Sequence, residues 1–149
     1  LKSQKDLKKL IKNLFKGDII SLSRLITLVE NSEDETLRIM HEIHKHTGRA
    51  RRIGITGPPG AGKSSLIDLL VEKMRSGDKR VGIIAIDPSS PFTGGAVLGD
   101  RIRMQKHSTD PGVFIRSVGS RGSHGGISRS AYRIAALYDA AGYDYIFFE

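Results

Sequence analysis

Residues Gly57-Pro58-Pro59-Gly60-Ala61-Gly62-Lys63-Ser64 spell G-x-x-x-x-G-K-S, and no other stretch so narrows what the chain can fold into. The pattern works only between a strand and a helix, where the loop's backbone N–H groups can converge on phosphate. Both neighbours are present. Arg52-Ile53-Gly54-Ile55-Thr56 reads as a buried strand, and the residues from Ser64 to Met74 read as a helix. In this arrangement Gly57, Pro58, Pro59, Gly60, Ala61, Gly62, Lys63, Ser64 and Ser65 form the nucleotide cradle. Lys63 reaches the β- and γ-phosphates and the Ser64 hydroxyl ligates Mg²⁺. The partial positive charge of the helix N-terminus adds to the anion site. The ligand class is a nucleoside triphosphate.

The rest of the chain divides near Gly48 to Arg51 into an N-terminal helical arm, residues 1–50, and a nucleotide-binding portion, residues 51–149. In the arm, Leu7, Leu10, Ile11, Leu14 and Phe15 recur with helical spacing, lysines occupy the opposite side, and Gly17 is a stop. A second helix is expected over 21–29. Ser32-Glu33-Asp34-Glu35 is a capping box, in which the Ser32 hydroxyl and the Glu35 carboxylate each satisfy a backbone donor. The helix it starts is expected to run to about Thr47, with Leu37, Met40 and Ile43 inward and Gly48 as a left-handed stop. His41 and His44 share a face of it, but without an evident third ligand they read as solvent-facing side chains rather than a metal site.

From Arg51 onward strands alternate with helical stretches, as in a parallel sheet covered on both faces. The expected strands are 52–56, 81–87, 113–118 and 143–149, separated by helices around 63–76, 97–107 and 127–141. Ligands bind such sheets at the carboxyl ends of the strands, so the closing residues are the candidates. Asp87 ends the second strand and Asp100 follows a glycine-rich stretch. Either carboxylate can orient an attacking water or Mg²⁺-bound water, or Asp87 belongs to a turn and Asp100 to a helix cap. Arg121 and His124 lie in the small, glycine-rich segment after the third strand; Arg121 can reach phosphate, substrate or a partner, and His124 reads as exposed. Glu149 ends the apolar run Tyr145-Ile146-Phe147-Phe148, the arrangement in which an acid holds the Mg²⁺ shell opposite Ser64.

Composition excludes several classes. With no cysteine among 149 residues there are no disulfides, thiolate zinc sites or cysteine nucleophiles, which fits a cytoplasmic location. The apolar runs are too short to cross a membrane. The formal net charge of +8 is spread among acids, and aromatic residues are too scattered for base stacking, so nucleic acid is not an expected partner. The first residue is Leu1 rather than Met, so a native start is expected upstream.

These segments together resemble the MeaB/ArgK-type P-loop GTPases, which include the GTPase chaperones of methylmalonyl-CoA mutase. The resemblance spans nearly the whole chain. It rests on Gly57 through Leu66, on Asp87-Pro88-Ser89-Ser90 with Thr93-Gly94-Gly95, and on Leu98-Gly99-Asp100-Arg101-Ile102-Arg103-Met104. Phe114-Ile115-Arg116-Ser117, Arg121-Gly122, Gly125-Gly126 and the strand into Glu149 complete it. It implies an α/β P-loop NTPase fold in which a parallel sheet flanked by helices follows a helical arm. It also implies slow GTP hydrolysis, GTP/GDP and Mg²⁺ as ligands, and homodimers. The implied partner is an adenosylcobalamin-dependent acyl-CoA mutase whose cofactor loading and protection the GTPase serves. Lys63, Asp87, Asp100 and Glu149 become the catalytic set by position, and Ser64, Asp87, Asp100 and Glu149 the metal set. The family pattern continues past a glutamate like Glu149 with a guanine-reading element and a dimerisation segment, so the chain is expected to be C-terminally incomplete. A P-loop kinase tied to transport of lysine, arginine or ornithine is the alternative. A nickel-insertion GTPase is disfavoured by the lack of cysteine and of a histidine-rich tract.

Overall fold

In the computed structural model the described residues are 4–87, 107, 109–119 and 127–149, with the side chain of Asp87 excepted. The helix expected around 97–107 lies almost wholly outside them.

The arm forms three helices: α1 (Gln4–Leu14), α2 (Ile19–Asn31) and α3 (Glu33–Ile43). Apolar spacing places Leu7, Ile11 and Leu14 in the core, with Lys5, Lys8, Lys9 and Lys12 outside. Gly17 stops the first helix in the left-handed region, at φ +78°. Asp18 then caps α2, its carboxylate accepting from the Ser21 N–H at 2.8 Å; the Ser21 side chain, followed by this N–H, holds that carboxyl below its ordinary range.

Ser32 caps α3 through the Glu35 N–H at 3.3 Å. Only this half of the capping box forms among the described contacts; the Glu35 carboxylate faces Arg38 at 3.9 Å. The inward stripe of α3 is Thr36, Ile39 and Ile43, with Met40 at its border. Leu37, expected to point inward, is 63 % exposed. The stripe is fixed by Ile39 and Ile43 against α2, and Leu37 lies about 100° from Thr36 around the helix. The α-helix also ends earlier than Thr47, at Ile43, and tightens into a 3₁₀ turn over His44–His46 before Gly48, whose φ is +96°. His41, His44 and His46 are exposed, and His46 stacks on Phe15 with ring centroids 4.0 Å apart.

The remaining elements are β1 (Arg51–Gly54), α4 (Lys63–Arg75), β2 (Val81–Asp87), β3 (Val113–Gly119), α5 (Arg129–Ala140) and β4 (Tyr145–Phe148). All four strands are parallel, in the order β1-β4-β2-β3. The chain steps outward from β1 to β2 to β3 and then returns to place β4 between β1 and β2. Crossovers of one hand that travel in opposite directions put their helices on opposite faces of a sheet. The core divides accordingly. Val81, Ile83, Val113 and Phe147 pack with Ile67 and Val71 of α4. Ile84, Val118, Ile146 and Phe148, one residue out of phase, pack with α5 and the arm.

The arm and the sheet share this second core. Leu22, Leu25, Ile26, Ile39 and Ile43 belong to the same cluster as Ile134, Leu137 and Tyr138. Ion pairs border it: Arg116 of β3 with Glu30 of α2, and Arg133 of α5 with Glu33 at 2.5 and 2.8 Å. Gly82 is required by close approach, since a Cβ there would lie 2.2 Å from Cδ2 of the fully buried Tyr138 ring. The β1 side of the sheet is thinner: three of its four residues are exposed, as are Leu66 and Leu69 of α4.

Candidate phosphate site at the carboxyl ends of the strands

Parallel register brings the strand ends to one edge. Gly54 pairs with Phe148, Phe148 with Ile84, and Asp87 with Gly119, two positions further up β2 than the level of Glu149. The loop that leaves β1 crosses this edge and enters α4.

Two left-handed glycines shape the loop, Gly60 at φ +78° and Gly62 at φ +82°. A Cβ at either would meet no atom within 4 Å, so backbone conformation rather than crowding demands glycine there. Gly62 caps α4 without any side-chain hydrogen bond. Among the described residues the first N–H groups of that helix have no side-chain cap, and the positive end of its dipole faces the loop. Residues 57–62 and Ser65 are exposed. Lys63 folds back over the loop, and its Nζ donates to the carbonyls of Gly57 and Pro58 at 3.1 Å each. That position holds a cation over the backbone of the loop.

Glu149 follows β4, between β1 and β2. Its N–H donates to Ile84 O at 3.0 Å and its carbonyl accepts from Ile86 N at 2.8 Å, so its backbone is fixed by the sheet. Its side chain accepts from the Ser64 hydroxyl, Oγ to Oε1, at 2.5 Å. A hydroxyl oxygen and a carboxylate side by side next to a phosphate cradle are a hard-oxygen donor set, which fits Mg²⁺, an ion that takes one or two protein oxygens and completes its shell with phosphate and water. Among the described residues no group of three or more histidine, cysteine or acidic side chains converges to hold a metal alone.

Of the sequence candidates, the structure brings together Lys63, Ser64 and Glu149. Asp87 is the last residue of β2, at the same edge, but its side chain lies outside the described residues, as do Asp100, Arg121 and His124. Other charged residues near the fold's joints were not singled out from sequence. Asp139 is one: although 3 % exposed, it accepts from the N–H groups of Gly48, Arg49 and Ala50 at 2.7, 3.1 and 3.1 Å. A signal for it exists, because an acid on the apolar stripe of α5, next to Tyr138, needs buried donors. Asp68 and His107 are a second pair, 3.5 Å apart at the side of α4; nothing in their local spacing announces it.

The sequence model of the family described as methylmalonyl-CoA mutase-associated GTPase MeaB matches residues 22–149. A protein of Pyrococcus abyssi named "Putative GTPase" is 56 % identical over 140 residues, covering 94 % of this chain and 43 % of its own length. The mitochondrial methylmalonic aciduria type A homolog of Caenorhabditis briggsae is 40 % identical over 157 residues, covering 95 % of this chain and 38 % of its own length. Among solved structures, that of a LAO/AO transport system kinase superposes with a TM-score of 0.76 at 29 % identity, covering 100 % of this chain and 44 % of the other. The chain thus spans less than half the length of these relatives. Among the described residues, no helix is long and apolar enough to cross a membrane.

Proposed function

Because the chain belongs to the MeaB family of methylmalonyl-CoA mutase-associated GTPases, we propose that it is the nucleotide-binding part of a GTP-hydrolysing switch protein that acts as chaperone to an adenosylcobalamin-dependent acyl-CoA mutase. One observation carries the site: the Ser64 hydroxyl and the Glu149 carboxylate meet beside a glycine-shaped loop at a helix N-terminus. In this reading residues 51–149 are the nucleotide-binding portion and residues 1–50 the helical arm docked on it.

The loop amides bind the β- and γ-phosphates and Lys63 leaves the Gly57 and Pro58 carbonyls for phosphate oxygens. Ser64 and Glu149 would hold Mg²⁺, joined by Asp87 and Asp100. When bound, the ion offsets phosphate charge during transfer to water. Asp87 or Asp100 orients that water. Turnover is slow, and its product is a change in the partner's conformation: loading of the mutase with cofactor and protection of the loaded enzyme. The full-length protein is a cytoplasmic homodimer in this reading.

Calorimetric titration with GTP, GDP and ATP in the presence of Mg²⁺ tests the site, and Lys63→Ala is the control. Tight triphosphate binding that disappears in the variant is the expected result, and retained affinity refutes the assignment. Guanine selectivity in the longer polypeptide supports the switch. The name of the solved transport system kinase favours a second reading, a P-loop kinase. ATP preference together with a phosphorylated acceptor formed from labelled triphosphate would decide for it.

A further inference from the structure

Helix α4, which begins with Lys63 and Ser64, is fastened at its far end. Arg75 Nε donates to Asp110 Oδ2 at 2.9 Å, Arg75 Nη1 donates to Lys79 O at 2.9 Å, and Asp110 Oδ1 accepts from Gly112 N at 2.8 Å. A Cβ on Gly112 would lie 2.1 Å from Arg75 Cζ, so the turn entering β3 is moulded around that guanidinium. The near end of the helix meets the same turn differently. Asp68, one turn after Ser64 and two turns before Arg75, directs Oδ1 toward His107 Nε2 at 3.5 Å. His107 is 6 % exposed and is joined to Asp110 by the Asp110 N–H to its carbonyl, at 3.1 Å.

Asp68 Oδ1 and His107 Nε2 are both buried, and among the described residues neither atom has a hydrogen-bond partner. Buried polar atoms without partners are costly, so each of the two depends on the other across their 3.5 Å contact. We infer that Asp68 and His107 are positioning residues for the nucleotide site: their buried contact braces α4 against the turn that begins β3. The turn that begins β3 is thereby a stop for the helix carrying Lys63 and Ser64. This rests on the phosphate-loop reading above. It adds that occupancy is coupled to a side-chain pair that touches neither phosphate nor metal. Loss of either partner removes the stop, so Ser64 is held less firmly and Mg²⁺-nucleotide affinity falls.

A double-mutant cycle tests the coupling, with Asp68→Ala, His107→Leu and the double variant titrated with Mg²⁺·GTP and Mg²⁺·ATP. Each single variant is expected to weaken binding about five- to tenfold, with the double variant no weaker than the singles, because they break one interaction. His107→Gln, whose Nε2 reproduces the donor, should bind within about twofold of the unaltered chain. Urea unfolding of each variant confirms that folded protein is being titrated, and Asp68→Leu, which has no acceptor, replaces Asp68→Ala if the latter fails to fold. Multiplicative losses in the double variant, unchanged affinity in the singles, or no rescue by glutamine overturn the inference while leaving the phosphate site standing. An unaltered chain that binds neither nucleotide removes the site and this inference together.

Discussion

Replacing Asp139 is the most informative perturbation of the joint between arm and sheet. Asp139 lies in the last turn of α5, where an acid opposes the helix dipole, and it is almost fully buried. It is stable there because three successive backbone N–H groups, those of Gly48, Arg49 and Ala50, converge on its two oxygens. Arg52 adds a contact at 3.6 Å from a side chain that is 38 % exposed, which contributes little. Each hydrogen bond to a buried charge is worth about 1.5–3 kcal/mol, but Gly48 and Arg49 are exposed enough for water to replace part of what is lost. Asp139→Ala should therefore cost about 3–4 kcal/mol rather than the full sum.

Asp139→Asn separates geometry from charge. Its single carbonyl can serve Arg49 and Ala50, leaving the amide NH₂ pointed at the Gly48 N–H, and the cost should be about 2 kcal/mol. Arg52→Ala should stay within about 0.5–1 kcal/mol of the unaltered chain. Urea unfolding followed by far-ultraviolet circular dichroism, with linear extrapolation at comparable slopes, gives all three values. An alanine variant less than about 1 kcal/mol below the unaltered chain, or an asparagine variant equal to it, would refute the argument that this cradle holds the arm's junction to β1.

Two further outcomes follow from the packing. Gly82→Ala should lower stability by about 3 kcal/mol, because the added methyl overlaps the Tyr138 ring, which is locked between β2 and the arm's core; an urea midpoint equal to that of the unaltered chain would show that the ring can move. The Arg75 guanidinium, followed by the Gly112 N–H, holds the Asp110 carboxyl below its ordinary range. A depressed folded-state value means stabilisation that is complete above the unfolded-state value near 3.9 and is lost as pH falls through the folded-state value. The stability gap between the unaltered chain and Asp110→Asn should thus be constant above about pH 5 and shrink below about pH 4, and a gap that widens on acidification would overturn the assignment.

Much of this architecture is legible in consecutive residues. The glycine pattern from Gly57 to Ser64 dictates a strand, a loop and a helix, since its backbone geometry has no other use. The alternation in Tyr145-Ile146-Phe147-Phe148 already assigns two residues to each face of a sheet buried on both sides. The cap at Ser32 follows from a short side chain with a backbone donor three residues on, whereas the caps at Asp18 and Ser128 emerge only in the structure. Periodicity is less decisive at its margins. Leu37 fits an apolar helix face as well as Ile39 does, and only the position of α2 tells which of them is covered.

Tertiary structure alone decided which strands are neighbours, and with that the chemistry at the edge. Glu149 meets Ser64 across 85 residues because β4 inserts between β1 and β2. Asp139 finds its donors at Gly48, Arg49 and Ala50 because α5 and the arm bury one core. The physical reason is the range of the forces involved. Backbone sterics and side-chain spacing act within a few residues and can be read in order, whereas distant contacts exist only after burial of apolar faces has chosen one packing among several that the same local pattern allows.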